Sequence, residues 1–399
     1  MPFKSSVDLL ASRRSLFKSA AGASAIMALA ASPSHLMSSA NAADSKSAAP
    51  HNASTDLDWK NNERVSLGDG PLEDGKLGSL AALDVKALPL LKNVTLNIQR
   101  LSPGAAREPH WHHSVSELNC VLEGTGEMGI IGLDGILTRI PIEPGSVTFV
   151  PQGLTHYVAN TGGTDLVMVM SFNSTRTTSS GLSNCLRAFP QDRFAQMTGL
   201  AAAEITTPGD EGALTYTKIE ALPEIKPSSS YLVDGAVSSI NFSAIPGFAS
   251  EYATGKDVDA KIMGQLDGIS MSLMTVEPGA MRDLHWHPHG TELVYIVAGE
   301  LEIGLQAPGK AGDSSVFTAG QGQAVALPEG WLHYAANTGS ETARLIVVWE
   351  STQPKSVEVM SMLSVLPTEL TMASAGSMLN ATQAKALLGK PVRAISPRP

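Results

Sequence analysis

The chain has little cysteine, no excess of positive charge and no long apolar run, and each shortage removes a class of function. Only two cysteines, Cys120 and Cys185, occur in 399 residues. A closed structural zinc site built on thiolates is therefore not the organising feature. If the chain is exported, the two can form a disulfide; two buried thiols are the alternative. Lysine and arginine number 28 against 38 aspartates and glutamates, a net charge of −10 at pH 7. No arginine-rich run or basic stripe breaks that balance, so a nucleic-acid partner is not expected. The apolar run near the N-terminus, residues 20–31, is short and rich in Ala and Gly. A spanning helix needs about 20 apolar residues, so no stable membrane anchor is expected there.

What precedes that run is informative. Residues 12–18 read Ser-Arg-Arg-Ser-Leu-Phe-Lys, and residues 40–42 read Ala-Asn-Ala, a plausible cleavage site. Two adjacent arginines resemble a bacterial twin-arginine signal; an ordinary secretory signal is the alternative. Residues 1–42 are read as a signal peptide and the product as periplasmic or secreted. They hold Lys4, Arg13, Arg14, Lys18 and Asp8, a net +3, so the mature chain carries −10 − 3 = −13. Residues 43–64 are read as a flexible leader or N-terminal arm, since 43–56 are rich in Ser, Ala and Asn.

One string of spacings occurs twice. Gly104 is followed by His110-Trp111-His112, Glu117 and Gly124; Gly279 is followed at the same intervals by His285-Trp286-His287, Glu292 and Gly299. Downstream, Gly145, Pro151, Gly153, His156 and Asn160 are repeated as Gly322, Pro328, Gly330, His333 and Asn337. Of ten histidines, only His35 and His51 fall outside these motifs. Side chains alternate along a strand, so His110 and His112 point to one face and Trp111 to the other. The same holds for His285, His287 and Trp286. His110, His112, Glu117 and His156 are thus one candidate metal set, and His285, His287, Glu292 and His333 a second. Three imidazoles and a carboxylate suit Mn, Fe, Ni, Cu or Zn, and around an octahedral ion they leave two positions open.

The offset between copies is 175 at the first histidine pair and 177 at the third histidine, which marks an internal duplication. Short β-rich runs alternate with Gly and Pro turns in both halves: 93–101, 118–122, 126–131, 146–150, 156–159 and 166–172, then 269–276, 293–297, 301–305, 323–327, 333–336 and 343–349. Each half ends in a helix-like stretch around Pro190 and Pro367, again 177 apart. The resulting domain reading is 65–200, 201–375 and a C-terminal helical tail, 376–399.

The paired motifs are similar to those of the cupin superfamily, and two copies resemble a bicupin. Residues 103–112, Pro-Gly-Ala-Ala-Arg-Glu-Pro-His-Trp-His, and 277–287, Glu-Pro-Gly-Ala-Met-Arg-Asp-Leu-His-Trp-His, resemble the oxalate decarboxylase family of bicupins. The resemblance runs from about Trp59 to about Leu370. It implies an all-β fold of two tandem double-stranded β-helix (jelly-roll) barrels, each followed by a short helical segment. It also implies two Mn(II) ions per chain, with Fe or another divalent metal as alternatives, and dioxygen as co-catalyst or co-substrate. Oxalate is the implied substrate, and the helical segments of such proteins pack across barrels or subunits, so a homo-oligomer is among the expectations. Export of a folded protein fits this metal: Mn(II) binds N/O ligands more weakly than Cu(II) or Zn(II), and loading before export avoids that competition.

Arg107 and Arg282 each stand three residues before the first histidine of a set. A planar, permanently charged fork suits a carboxylate, and the resemblance gives the arginine at this place the task of holding oxalate. It also implies a glutamate on a lid after the first barrel's last strand, which protonates what remains after one carbon dioxide has left. That protonation yields formate; oxidation by dioxygen instead yields a second carbon dioxide and hydrogen peroxide. The corresponding stretch, residues 173–181, reads Asn-Ser-Thr-Arg-Thr-Thr-Ser-Ser-Gly, and no Asp or Glu lies between Asp165 and Asp192. Arg176 cannot replace an acid near neutral pH. In the second half Glu350 follows the last strand and is the candidate acid. The expectation is oxalate cleavage to formate and carbon dioxide. An oxalate oxidase, or a cupin that binds a metal or small acid without turnover, are the alternatives.

Overall fold

A computed structural model of the chain describes residues 59–397, except 62, 68–71, 73, 74, 84, 202–214, 227, 229, 230, 310–312, 392 and 393. The signal-peptide reading of residues 1–42 and most of the leader lie outside the described residues. Among those described, no helix is long and apolar enough to cross a membrane.

Each half folds into two facing antiparallel sheets. In the first barrel one sheet runs Ser239–Asn241, Ser146–Val150, Glu117–Glu123, Leu166–Phe172, Thr95–Leu101 and Gly78–Ala82. The facing sheet runs Ser179–Gly181, Ala105–His112, Thr155–Ala159, Gly126–Ile131 and Leu137–Ile142. The second barrel repeats the layout. One sheet orders Arg64–Ser66, Gln323–Leu327, Glu292–Ala298, Ala343–Trp349, Ser270–Val276, Ala253–Val258 and Phe248–Ala249. Its partner orders Ser314–Gly320, Glu300–Gln306, Leu332–Ala336, Ala280–Trp286 and Val357–Glu358. A helix pair follows each barrel: Leu182–Ala188 with Gln191–Thr198, and Val359–Val365 with Thr368–Ala375. Pro190 and Pro367 are the N-cap residues of the second helix in each pair.

Alternation along the strands builds two cores. Leu118, Cys120, Val147, Phe149 and Val169 turn outward and pack with Met271, Leu293 and Ile346 of the second barrel. Their neighbours Val121, Val150, Met168, Met170 and Phe172 turn inward with Met128 and Ile130. The central strands Ser146–Val150, Leu166–Phe172 and most of Glu117–Glu123 are therefore buried on both faces, which explains their largely apolar sequence.

Three segment readings need correction. The boundary at 200/201 is not where the sheets divide. Tyr216–Lys218 pairs with Ala105–His112, and Ser239–Asn241 pairs with Ser146–Val150, so both complete the first barrel. The end of the leader is ordered: Trp59 is buried edge-on to Trp331, and Arg64–Ser66 pairs with Gln323–Leu327. The tail is not helical throughout, because Ile395–Pro397 pairs with Ala280–Trp286. The physical reason is shared. An exposed strand edge needs a partner, and the chain supplies it from the segment that follows or from the opposite end.

The two cysteines are both free thiols. Burial pushes the Cys120 thiol up to about 12, whereas Cys185 is only half-buried. Thiolate is the reactive form, so native protein should give one fast-reacting thiol per chain with a disulfide reagent at pH 8, and two after denaturation. Two fast thiols without denaturant, or none in either state, would contradict this placement.

Candidate metal centres

The sites form where the facing sheets meet. In the first barrel His110 and His112 come from Ala105–His112, Glu117 opens Glu117–Glu123 and His156 lies on Thr155–Ala159. His110 and His156 are opposed across the ladder, as are His285 and His333. All eight side chains are buried, and the donor atoms of each set lie within 4.8 Å of one another. Glu117 Oε2 is 2.8 Å from His112 Nε2 and 3.2 Å from His156 Nε2. Glu292 Oε2 is 2.9 Å from His287 Nε2 and 3.2 Å from His333 Nε2.

The backbone fixes which ring nitrogen faces inward. His110 Nδ1 lies 2.8 Å from Glu108 O, His156 Nδ1 3.1 Å from Leu154 O, His285 Nδ1 2.6 Å from Asp283 O and His333 Nδ1 2.8 Å from Trp331 O. A carbonyl only accepts, so Nδ1 carries the hydrogen and Nε2 presents a lone pair. His287 Nδ1 donates likewise to Lys355 O at 2.7 Å. The inward atoms are thus acceptors facing acceptors. Nε2 of His112, His287 and His333 and Oε2 of Glu292 make no well-directed hydrogen bond among the described residues. Buried acceptors aimed at a common point fit a divalent cation, which satisfies them together.

The protonation states agree. Burial pushes His110 down to about 2, with His156 and Arg107 adding to it; burial with His333 and Arg282 does the same to His285. Burial would raise the Glu117 carboxyl, but His156 and His112 outweigh it and hold it well below the usual range. His287 and His333 do so for Glu292. At neutral pH His110 and His285 are thus neutral imidazoles and Glu117 and Glu292 carboxylates, so these four donors take a metal without displacing a proton.

The two arginines, alike in sequence, differ in their surroundings. Arg107 donates from Nη1 to Thr215 O at 3.0 Å and from Nη2 to Ser179 Oγ at 3.4 Å, and pairs with no carboxylate among the described residues. Arg282 is held by Glu358 through two parallel bonds, 2.7 Å and 2.8 Å, and donates to Ala394 O at 2.9 Å. Glu358 is itself buried and also accepts from Ser356 Oγ at 2.8 Å. In the first barrel the residue 177 positions earlier is Gly181, which has no carboxyl of its own; the Glu108 carboxylate lies against it, but it is bonded by Ser183 and forms no ion pair with Arg107 among the described residues.

Glu350 does not join the second site. Its Oε1 accepts from Asn93 Nδ2 at 2.6 Å and its Oε2 from Thr291 N at 3.0 Å. Trp349, one residue earlier, turns into the cavity over the second donor set, and alternation sends Glu350 the other way. The carboxyl at this end of the barrel is Glu358, which sequence reasoning missed. The one available signal was the departure from repetition at 181 and 358. His113, exposed in the loop after the ligand strand, bonds Ser180 Oγ at 2.7 Å and Thr178 Oγ1 at 3.3 Å, tying the acid-free lid to that strand. Asn160 and Asn337 are structural, each amide donating both to a carbonyl of its own turn, Thr164 or Glu341, and to the end of a distant strand, Leu101 or Val276.

The family model described as Cupin matches residues 69–206 and again 248–377. The chain belongs to the cupin family. It is a bicupin, 27% identical over 322 residues to oxalate decarboxylase OxdC of Bacillus subtilis strain 168, covering 78% of this chain and 82% of that protein. A probable oxalate decarboxylase of Arthroderma benhamiae is 22% identical over 298 residues, 73% of this chain and 72% of its own. Germin-like protein subfamily 3 member 1 of Arabidopsis thaliana is 26% identical over 152 residues, 38% of this chain and 67% of its own. The structure of oxalate decarboxylase from Bacillus subtilis solved at pH 4.6 superposes with a TM-score of 0.74 at 23% identity, covering 85% of this chain and 88% of that one, which shows the shared fold. Another structure of that enzyme was solved in work on its Mn(II) centers.

Proposed function

We propose that this bicupin is a manganese-dependent, oxalate-degrading lyase whose turnover takes place in the first barrel, cleaving oxalate to formate and carbon dioxide. The observation that carries the reading is the unpaired Arg107 guanidinium beside the first His3Glu set, where a second carboxylate would find its partner. Manganese, chosen by likeness to the bacterial enzyme, supplies redox and Lewis-acid chemistry together with dioxygen when bound. The chain's own residues do the rest. Arg107 keeps its charge although burial lowers its pKa, and its fork grips one carboxylate of the dianion. The lid strand Ser179–Gly181, paired to His110 and His112, screens the site from water.

The lid bears on the outcome. Between Asp165 and Asp192 it carries hydroxyls and Arg176 but no acid, and Glu108, beside Arg107 in sequence, is bonded by Ser183 N at 2.8 Å and Ser183 Oγ at 2.9 Å. Protonation on the way to formate is therefore slow, which favours an oxidase share. The manganese-loaded protein is expected to release formate together with measurable hydrogen peroxide, and Thr178→Glu to move the product toward formate, because a carboxyl in a water-poor site can donate near neutral pH. Quantifying formate and peroxide from one oxalate reaction checks this. Formate alone from the unmodified protein would refute the lid argument, and no turnover with full metal occupancy would place the protein among binding cupins.

We also propose export by a twin-arginine route, on Arg13 and Arg14 ahead of a mild apolar run. Replacing both by Lys should retain the precursor in the cytoplasm, read by fractionation and immunoblot. Undiminished export would mean an ordinary secretory signal.

A further inference from the structure

The barrels differ on the strand row two residues along from the carboxylate ligand. In the first, that row reads Thr148, Asn119, Met170 and Asn97 across four neighbouring strands. In the second it reads Val325, Val294, Val347 and Ser272. Both rows share the inward face of Glu117 or Glu292, because side chains alternate. Three members of the first row are polar, and two of them, Asn119 and Thr148, are unsatisfied. Asn119 is 0% and Thr148 1% exposed, and neither amide atom of Asn119 nor Thr148 Oγ1 has a partner among the described residues. In the second row the only polar group is already engaged: Ser272 Oγ accepts from Trp349 Nε1 at 2.8 Å and donates to Asp257 Oδ1 at 2.6 Å. Those bonds fix the Trp349 indole, which stands edge-on to His287 at 4.7 Å between centroids.

Above the second donor set the apolar row opens into a cavity of about 240 Å³. Its floor is His285, His287, Glu292 and His333, and its walls include Met274, Val294, Ile303, Val347 and Trp349. Such walls hold water poorly, since a buried water needs two to four polar partners, and an apolar space of about 150 Å³ already admits a benzene ring. The cavity offers little to a second anionic group. Arg282 and Lys355 both reach it, but Glu358 already neutralises the guanidinium and Lys355 is exposed to solvent, where its charge is screened. Oxalate has charge at both ends and no hydrocarbon to set against valine and methionine, so most of these walls would desolvate it without return.

We propose that the second barrel binds a small monocarboxylic acid with an apolar body. Its carboxylate lies at the His285, His287, Glu292 and His333 centre, and its body lies against Val294, Val347 and Trp349. The inference rests on the reading that this donor set holds a divalent cation. It gives the two barrels different ligands: an oxygen-rich acid in the first, a partly hydrocarbon acid in the second.

Calorimetric titration of the manganese-loaded full chain with benzoate, and with acetate as the same carboxylate lacking a body, tests it; elemental analysis of the same samples reports the ions. One benzoate per chain is expected, bound at least about tenfold more tightly than acetate because the ring buries apolar surface. Val294→Asn should weaken benzoate by roughly tenfold and leave acetate unchanged. Val347→Thr, nearly the same shape, should act in the same direction if the first variant folds poorly. Asn119→Val in the first barrel should leave benzoate binding as it was. His285→Ala should lose one ion and the benzoate site together. Benzoate no tighter than acetate, two equivalent benzoates per chain, or indifference to both valine changes would overturn the inference while the metal reading stands. A second donor set that takes up no manganese would overturn both.

Discussion

Arg107→Lys is expected to lower oxalate turnover by about two to three orders of magnitude with both ions retained. The guanidinium offers two parallel N–H groups to a carboxylate, and lysine offers a point charge. Losing one such contact in a closed site costs on the order of 2–4 kcal/mol of transition-state stabilisation, which sets the rate loss. The same change at Arg282 should behave differently. Arg282 is already bound to the buried Glu358 by two hydrogen bonds and is itself half-buried, so Arg282→Lys disturbs an ion pair rather than a substrate clamp. Steady-state oxalate kinetics on both variants, with elemental analysis, separates the cases. A severe loss from Arg282→Lys with little from Arg107→Lys would move the chemistry to the second barrel. Equal and small losses would end the clamp argument.

The contrast between these arginines shows what was legible in the sequence. The ligands were, because a metal site demands fixed residue types at fixed strand spacings, and duplication printed the demand twice. His110, His112, Glu117 and His156 are assembled as alternation requires, and so is the second set. The barrels followed from short runs between Gly and Pro turns. The edge strands did not. Tyr216–Lys218 and Ile395–Pro397 are three-residue pieces lacking a period of their own, and each becomes a strand only because an open edge awaits it. The Glu350 error has a similar root. Proximity to the last strand suggested the site, but the parity of one residue past Trp349 turns the carboxyl to Thr291 and Asn93. Glu358 stands where the first barrel has glycine, so repetition hid it.

Histidine-to-alanine changes and acid should act through the same donor sets. His156→Ala and His333→Ala should each leave one ion per chain instead of two, since each removes one of four donors from one barrel. An ion present at about 100 times its dissociation constant stabilises the folded state by about 2.7 kcal/mol, so each variant should also melt at lower temperature. Protons compete for the same atoms. In the unfolded chain His110 and His285 take up a proton near 6.5; in the folded chain they do so only near 2. Between those values the unfolded state binds more protons, so the stability these residues contribute is complete above about pH 6.5 and is lost as pH falls. Glu117 and Glu292, held well below 4.5 when folded, act in the same sense at lower pH. Metal binding must weaken over the same range, because each donor has to be free of its proton. Melting curves from pH 7.5 to pH 4, with and without chelator, should show stability falling toward acid in both series. The gap between them should narrow as ions leave. A gap that stays constant to pH 4, or chelated protein that gains stability in acid, would mean that these eight residues do not form the titrating metal sites described.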